Sequence, residues 1–143
     1  MAKADVKMPE EFLLKISRLG EKTDEIIPRV LEAGGQVVLD KVKSNLQSVI
    51  SSGTKYPSRS TGELSDALGL TPAKQDRKGN YNIKIGFSEP RRDGKSNAKL
   101  ANIIEYGKSG QPAKPFLKPA KSSSRKRCVE TMKAKLDEEM NHL

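Results

Sequence analysis

The sequence has no tryptophan, three phenylalanines, three tyrosines, one cysteine and one histidine. The lone Cys128 excludes an internal disulfide and a cysteine-built zinc cluster. The lone His142 stands next to the last residue, where chains fray, so Ser-His-Asp or Cys-His chemistry has no credible base. No apolar run approaches the ~18 residues of a membrane span. The opening MAKADVKMPEEF lacks the apolar core of a secretory signal. The expectation is a chain made and folded in a reducing cytoplasm, without membrane contact. Hydrophobic residues make up 34% of the 143 positions. One domain is expected over 1–143, with a thin core. A chain so poor in large apolar groups often completes its burial against partners.

What the chain does have is positive charge. Its formal charge is +9, with a pI near 9.7. Contact with nucleic acid or another acidic surface is one reading. Plain solubility is the other, and charge alone favours it. The most basic region, 107–127, has Phe116 as its one aromatic, which argues against base stacking on single strands.

Hydrophobic spacing organises the rest. In PEEFLLKISRLG, Phe12, Ile16 and Leu19 share a helix face, Pro9 suits the first turn and Gly20 the stop, giving a helical arm within 1–22. Ile27, Val30, Leu31, Gly34, Val38, Val42, Leu46 and Val49 trace one stripe, which predicts a long helix over 24–51. Thr23 or Asp24 can cap it, and Pro28 fits only in or near its first turn. Gly34-Gly35 inside a helix costs about 1 kcal/mol per glycine against alanine. The pair calls for a kink or a close approach by another backbone, and a local bend is the simpler expectation. A Ser/Pro loop follows, then a short helix with Leu64 and Leu68 and with Gly69 as its stop. Tyr81, Ile83, Ile85 and Phe87 alternate with polar residues or glycine. They predict a strand closing a hairpin over DRKGN, its first arm weakened by Pro72. AKLANIIEYG reads as a helix stopped by Gly107. Pro119 can open a last helix over 119–143 carrying Val129, Met132, Leu136 and Met140, a stripe that reads as docking surface rather than a cofactor box. Its charges run against the helix dipole, with Arg125, Lys126 and Arg127 early and Asp137, Glu138 and Glu139 late. Such a helix is either merely tolerated or charged for a neighbour.

The chemical motifs fail on spacing. A phosphate loop needs G-x-x-x-x-G-K-[ST]. Gly107-Lys108-Ser109 has Asn102 where the first glycine belongs, and Gly94-Lys95-Ser96 has Glu89. Glu105 sits among apolar neighbours, but local spacing puts no second carboxylate beside it. It reads as a structural carboxylate bonded to Tyr, Lys or backbone N–H rather than a general acid. SSSRKR at 122–127 is a localisation signal, a phosphate patch or simply a solvated surface. No cofactor and no metal are expected.

The order of pieces is more specific than any of them. STGELSDALG, then IKIGFS, then LANIIEYGKSGQPAKPFLKPA resembles the tail-component family of long-tailed bacteriophages and prophages, the small neck and tail-completion proteins. Gly62, Leu64, Gly86, Ala101, Glu105, Tyr106, Gly107, Pro115, Phe116, Leu117, Pro119 and Ala120 occupy the family's signature places within 61–120. Leu100 stands where a tyrosine is common, and Lys108 replaces the usual threonine. The resemblance implies a non-enzymatic virion part at the head–tail junction or tail end. It implies an α+β fold, with a small antiparallel sheet packed against a long N-terminal helix and a C-terminal helix. It also implies a ring of copies matched to six-fold tail symmetry, with neck, tail-terminator or tail-tube proteins as neighbours. Residues 108–114 are expected to form an excursion anchored by Phe116 and Leu117. With the loops 51–62 and 88–98 it would meet neighbouring subunits. Arg91, Arg92, Lys108, Lys114, Arg125, Lys126 and Arg127 are candidates to face a partner or passing DNA. The rival reading is a small basic nucleic-acid-binding protein working through 121–135.

Overall fold

The computed structural model describes residues 3–7, 20–51, 63–88, 96–110 and 112–142. Within the described residues, four strands and four helices alternate irregularly: β1 (Ala4–Lys7), α1 (Thr23–Ser51), α2 (Glu63–Ala67), β2 (Leu68–Leu70), β3 (Lys74–Gln75), β4 (Tyr81–Phe87), α3 (Asn97–Tyr106) and α4 (Leu117–Asn141). A single 3-10 turn, Gly20–Lys22, leads into α1. The fold is α+β, as expected.

The sheet is built around β4, antiparallel on both edges, in the order β1-β4-β2 with β3 also on β4. Ile83 and Ile85 point inward with Ala4, Val6 and Leu68, while Asp5, Lys7 and Lys84 face solvent. That is the period-two division of a half-buried strand. β2 and β3 are two halves of one arm. Leu70 pairs with Ile85 and Lys74 with Asn82, so residues 71–73 face only 83–84 across the ladder. The extra residue makes a bulge, and Pro72, which has no N–H to donate, stands in it. Thr71 holds the bulge closed: its N–H donates to the Lys84 carbonyl (2.8 Å), and its hydroxyl accepts from the Lys84 N–H (3.0 Å). Asp76 closes the DRKGN turn by accepting from the Lys78 and Asn80 N–H groups at 2.8 and 2.9 Å, with Gly79 at φ +84°.

α1 lies between the sheet and α4. Ile27, Val30, Leu31, Val42 and Leu46 are all essentially sealed from solvent, and Ile26 and Leu39 widen the stripe so that α1 is buried on two sides. The adjacent glycines serve those two sides. A Cβ on Gly34 would stand 2.4 Å from Met132 Cγ on α4; one on Gly35 would stand 3.1 Å from Leu70 Cδ2 on β2. The demand for close approach is real, and the neighbours are side chains rather than another backbone. α4 runs antiparallel to α1. Arg29 near the start of α1 pairs with Glu139 near the end of α4 (3.1 Å), and Asn45 near the end of α1 donates to the Phe116 carbonyl at the start of α4 (3.2 Å).

Several expectations need correction. The N-terminal arm begins with a strand, β1, and the helix expected over 9–20 lies outside the described residues apart from Gly20. Gly69 is not a helix stop; it lies in β2, paired with Gly86. Thr23 donates its hydroxyl to the Gly20 carbonyl (2.7 Å) and Asp24 accepts from the Tyr81 hydroxyl, so each is used elsewhere than as a helix cap. Pro28 is the sixth residue of α1, in its second turn, one place deeper than in a helix beginning at 24. α4 opens at Leu117, with Pro119 third.

Candidate functional site

Among the expected signature residues, Glu105, Tyr106, Gly107, Phe116 and Leu117 stand at one junction, where α3 ends and α4 begins; Gly86 lies apart in β4. α3 starts with Ser96, whose hydroxyl accepts from the Lys99 N–H (3.2 Å). It ends at Gly107, whose φ of +78° turns the chain sharply while its N–H donates to the Ile103 carbonyl (2.7 Å). Only a residue without Cβ adopts that conformation cheaply.

Glu105, in the last turn of α3, is 2% exposed. Its carboxylate accepts from three successive backbone N–H groups: Phe116 at 2.8 Å and Leu117 at 2.9 Å on Oε2, and Lys118 at 3.0 Å on Oε1. These are orphan donors of the first turn of α4, which every helix must satisfy from outside itself. The N-cap position is Phe116, and its side chain makes no capping bond. A carboxylate from eleven residues upstream does that work and places a negative charge at the positive end of the dipole. The favoured reading of Glu105 as a structural carboxylate therefore holds, with backbone N–H as the partner.

Phe116, fully buried, meets Phe87 of β4 edge to face at 6.4 Å between ring centres. Leu117 and Ala120 are buried in the same core, as are Ala101 on α3 and Leu64 on α2. Pro115 and Pro119 are exposed. The return of the excursion is pinned again where the Lys114 N–H donates to the Ile104 carbonyl (2.8 Å). Between these fastenings, Lys108, Ser109, Gly110, Pro112 and Ala113 are exposed. Tyr106 is 58% exposed, the one large hydrophobic side chain left open among the described residues. Its neighbours Glu105 and Gly107 each have an internal task; the Tyr106 ring is turned outward.

The basic candidates divide. Gly62, Arg91 and Arg92 lie outside the described residues, as do most of the loops 51–62 and 88–98. Lys108 is exposed and Lys114 half-buried. Arg125, Lys126 and Arg127 are all exposed on α4, together with Lys118 and Lys121. The opposite end of α4 is knitted internally. Glu139 pairs with Arg29 and Lys135, and Glu138 with Lys135. Partial desolvation pushes the Glu139 carboxyl up, but the Arg29 and Lys135 contacts outweigh it and hold it below its ordinary value. Cys128, Met132 and Leu136 form the buried stripe of α4 against α1, with Val129 and Met140 at its margin. Burial pushes the Cys128 thiol up from its ordinary value.

Among the described residues, no three His, Cys, Asp or Glu side chains come together to hold a metal, and no helix is long and apolar enough to cross a membrane. Sequence reasoning missed the role of Asn45. It also missed the three N–H donors, which belong to the backbone and leave no trace in residue type.

Comparison with known proteins gives one family. Its model, described as "Bacteriophage HK97-gp10, putative tail-component", matches residues 10–107. No curated protein and no solved structure is similar enough to count as a match.

Proposed function

The chain belongs to the HK97-gp10-like family of phage tail components, and from that premise we propose that it is a non-enzymatic, ring-forming subunit at the head–tail junction or tail end. A tail component is a structural part of the virion that works against other tail proteins. The finer reading, tail completion or head–tail joining in a ring of six-fold symmetry, is supported by one arrangement above all. Glu105, Gly107 and Phe116 make a firm base, and from it Tyr106, Lys108, Ser109, Gly110, Pro112 and Ala113 stand out into solvent.

A subunit that repeats around an axis needs a firm patch to offer its neighbour, because heterologous contacts close a ring only if each joint has the same geometry. Tyrosine is among the residues that most often carry such contacts. The neighbours would be further copies of this chain and adjoining neck, tail-terminator or tail-tube proteins.

The test is electron microscopy of particles from a phage or induced prophage with this gene deleted. Full heads beside detached tails support joining or completion; overlong tails support termination of the tube. Normal infectious particles would overturn the proposal. Replacing Tyr106→Ser in the intact phage should reproduce the assembly defect while leaving the melting temperature of the purified chain within a degree or two.

A further inference from the structure

We infer that the N-terminal half of α4 is a binding site for the phosphate backbone of duplex nucleic acid, read without regard to base sequence. Between Gly107 and Arg127 the sequence holds seven lysines and arginines and no acid, against a net charge of +9 for the whole chain. In the structure five of these cations stand on α4, with Arg127 on the side that also carries Asp40 and Lys41. Lys118, Lys121, Arg125, Lys126 and Arg127 are all exposed, and among the described residues none of their side chains makes an ion pair or hydrogen bond. Lys118, Lys121 and Arg125 follow one another at i, i+3 and i+7 along one side of the helix. Lys121 and Arg125 line a shallow groove beside β1, where Lys7 adds a cation and Asp5 an acid. The Ser122 hydroxyl opens into the same groove and can donate to phosphate oxygen, as hydroxyls commonly do.

The treatment of acids elsewhere in the molecule sharpens the contrast. Glu105 caps α4, Asp76 closes a turn, Asp24 accepts from Tyr81, Asp40 accepts from Gln36, and Glu139 and Glu138 hold Arg29 and Lys135. Lys118 stands in the first turn of α4, whose positive end Glu105 already offsets, and the cations beyond it form a ridge that an external polyanion complements. With Phe116 buried, the ridge presents no ring for an unstacked base, so the partner is the duplex backbone rather than single strands. The site stands whether the subunit belongs at the head–tail joint or at the end of the tube.

The experiment measures binding of the full-length chain to a fluorescein-labelled duplex of about 20 base pairs by anisotropy, from about 50 to 200 mM salt, the range over which phosphate contacts are lost. The ridge variant carries Lys121→Gln, Arg125→Gln and Lys126→Gln; a control with the same net charge carries Lys74→Gln, Lys84→Gln and Lys99→Gln. All six side chains are exposed, and circular dichroism confirms that both variants fold. The wild type and the control should bind alike. The ridge variant should bind more weakly, with a plot of log affinity against log salt shallower by about 3, each phosphate contact adding about 0.9 to the slope. Absence of binding by the wild type at the lowest salt overturns the site. So does an equal loss in the control, which would make the affinity a matter of net charge. A ridge variant that binds the duplex normally but sediments differently would assign the ridge to a second copy, and the inference fails.

Discussion

At the scale of single residues, Glu105 does the most with the least. A buried carboxylate satisfying three backbone donors ties the end of α3 to the start of α4. Glu105→Ala strands those donors away from water and should cost about 3 kcal/mol or more, since each unsatisfied buried group costs roughly 1–3. Glu105→Gln keeps one acceptor oxygen and should cost less, about 1–2 kcal/mol. Urea unfolding of both variants checks the order; equal and negligible losses would mean the clasp is idle. The two glycines of α1 offer a second test. Alanine gains about 1 kcal/mol of helix propensity over glycine at either position. At position 34 the new methyl meets Met132 Cγ at 2.4 Å, wedged between helices, and overpacking of roughly 1–3 kcal/mol should win. At position 35 the nearest atoms are the end of the half-buried Leu70 side chain at 3.1 Å, which can yield, and the buried Ile83 Cγ2 at 3.3 Å, so Gly35→Ala should cost less than Gly34→Ala. Midpoints of thermal melts decide, and a stabilised Gly34→Ala would contradict the packing described.

At the scale of elements, the hairpin turn carries a pH dependence. Asp76 is held below its ordinary carboxylate value, first by the Asn80 N–H and also by the Lys78 N–H, despite an opposing desolvation. Its pKa is thus lower in the folded chain than in the unfolded. The contribution is present above the unfolded carboxylate's pKa and is lost as pH falls through the folded one. In acid, the Lys78 and Asn80 amide resonances should shift and their hydrogens exchange faster; in Asp76→Asn the acid-dependent shift should vanish. The elements also show what a sequence can reveal. α1, β4 and α3 were legible because their own spacing carries the pattern; Phe116 and Leu117 were expected as anchors from the family resemblance instead. β1 was not: ADVK is four residues long, and it becomes a strand through β4, almost eighty residues downstream. Gly69 looked like punctuation because a glycine after a short helix usually is, and only pairing with Gly86 makes it a strand residue. The clasp was half legible, as a polar residue with no chemical task.

At the scale of the whole molecule, Cys128 is a built-in reporter. It lies in the seam between α1 and α4, 5% exposed, with its thiol shifted up by burial. Reaction with an aromatic disulfide reagent at neutral pH should be slow in the folded chain and should reach the rate of a free thiol in urea. Equal rates would mean that the seam opens freely. The seam and the clasp together fasten the excursion at its base. It leaves and rejoins the body through bonds from Gly107 to Ile103, Lys114 to Ile104 and Phe116 to Glu105, and Ser109, Gly110, Pro112 and Ala113 between them are exposed. Doubling such a loop costs only about 0.6 kcal/mol in closure entropy. An epitope tag inserted beside Gly110 would leave the melting temperature almost unchanged, and its accessibility to antibody in assembled particles would reveal what covers that loop. A protein built this way can exchange its outward segment, and with it its neighbours, without redesigning the body that carries it.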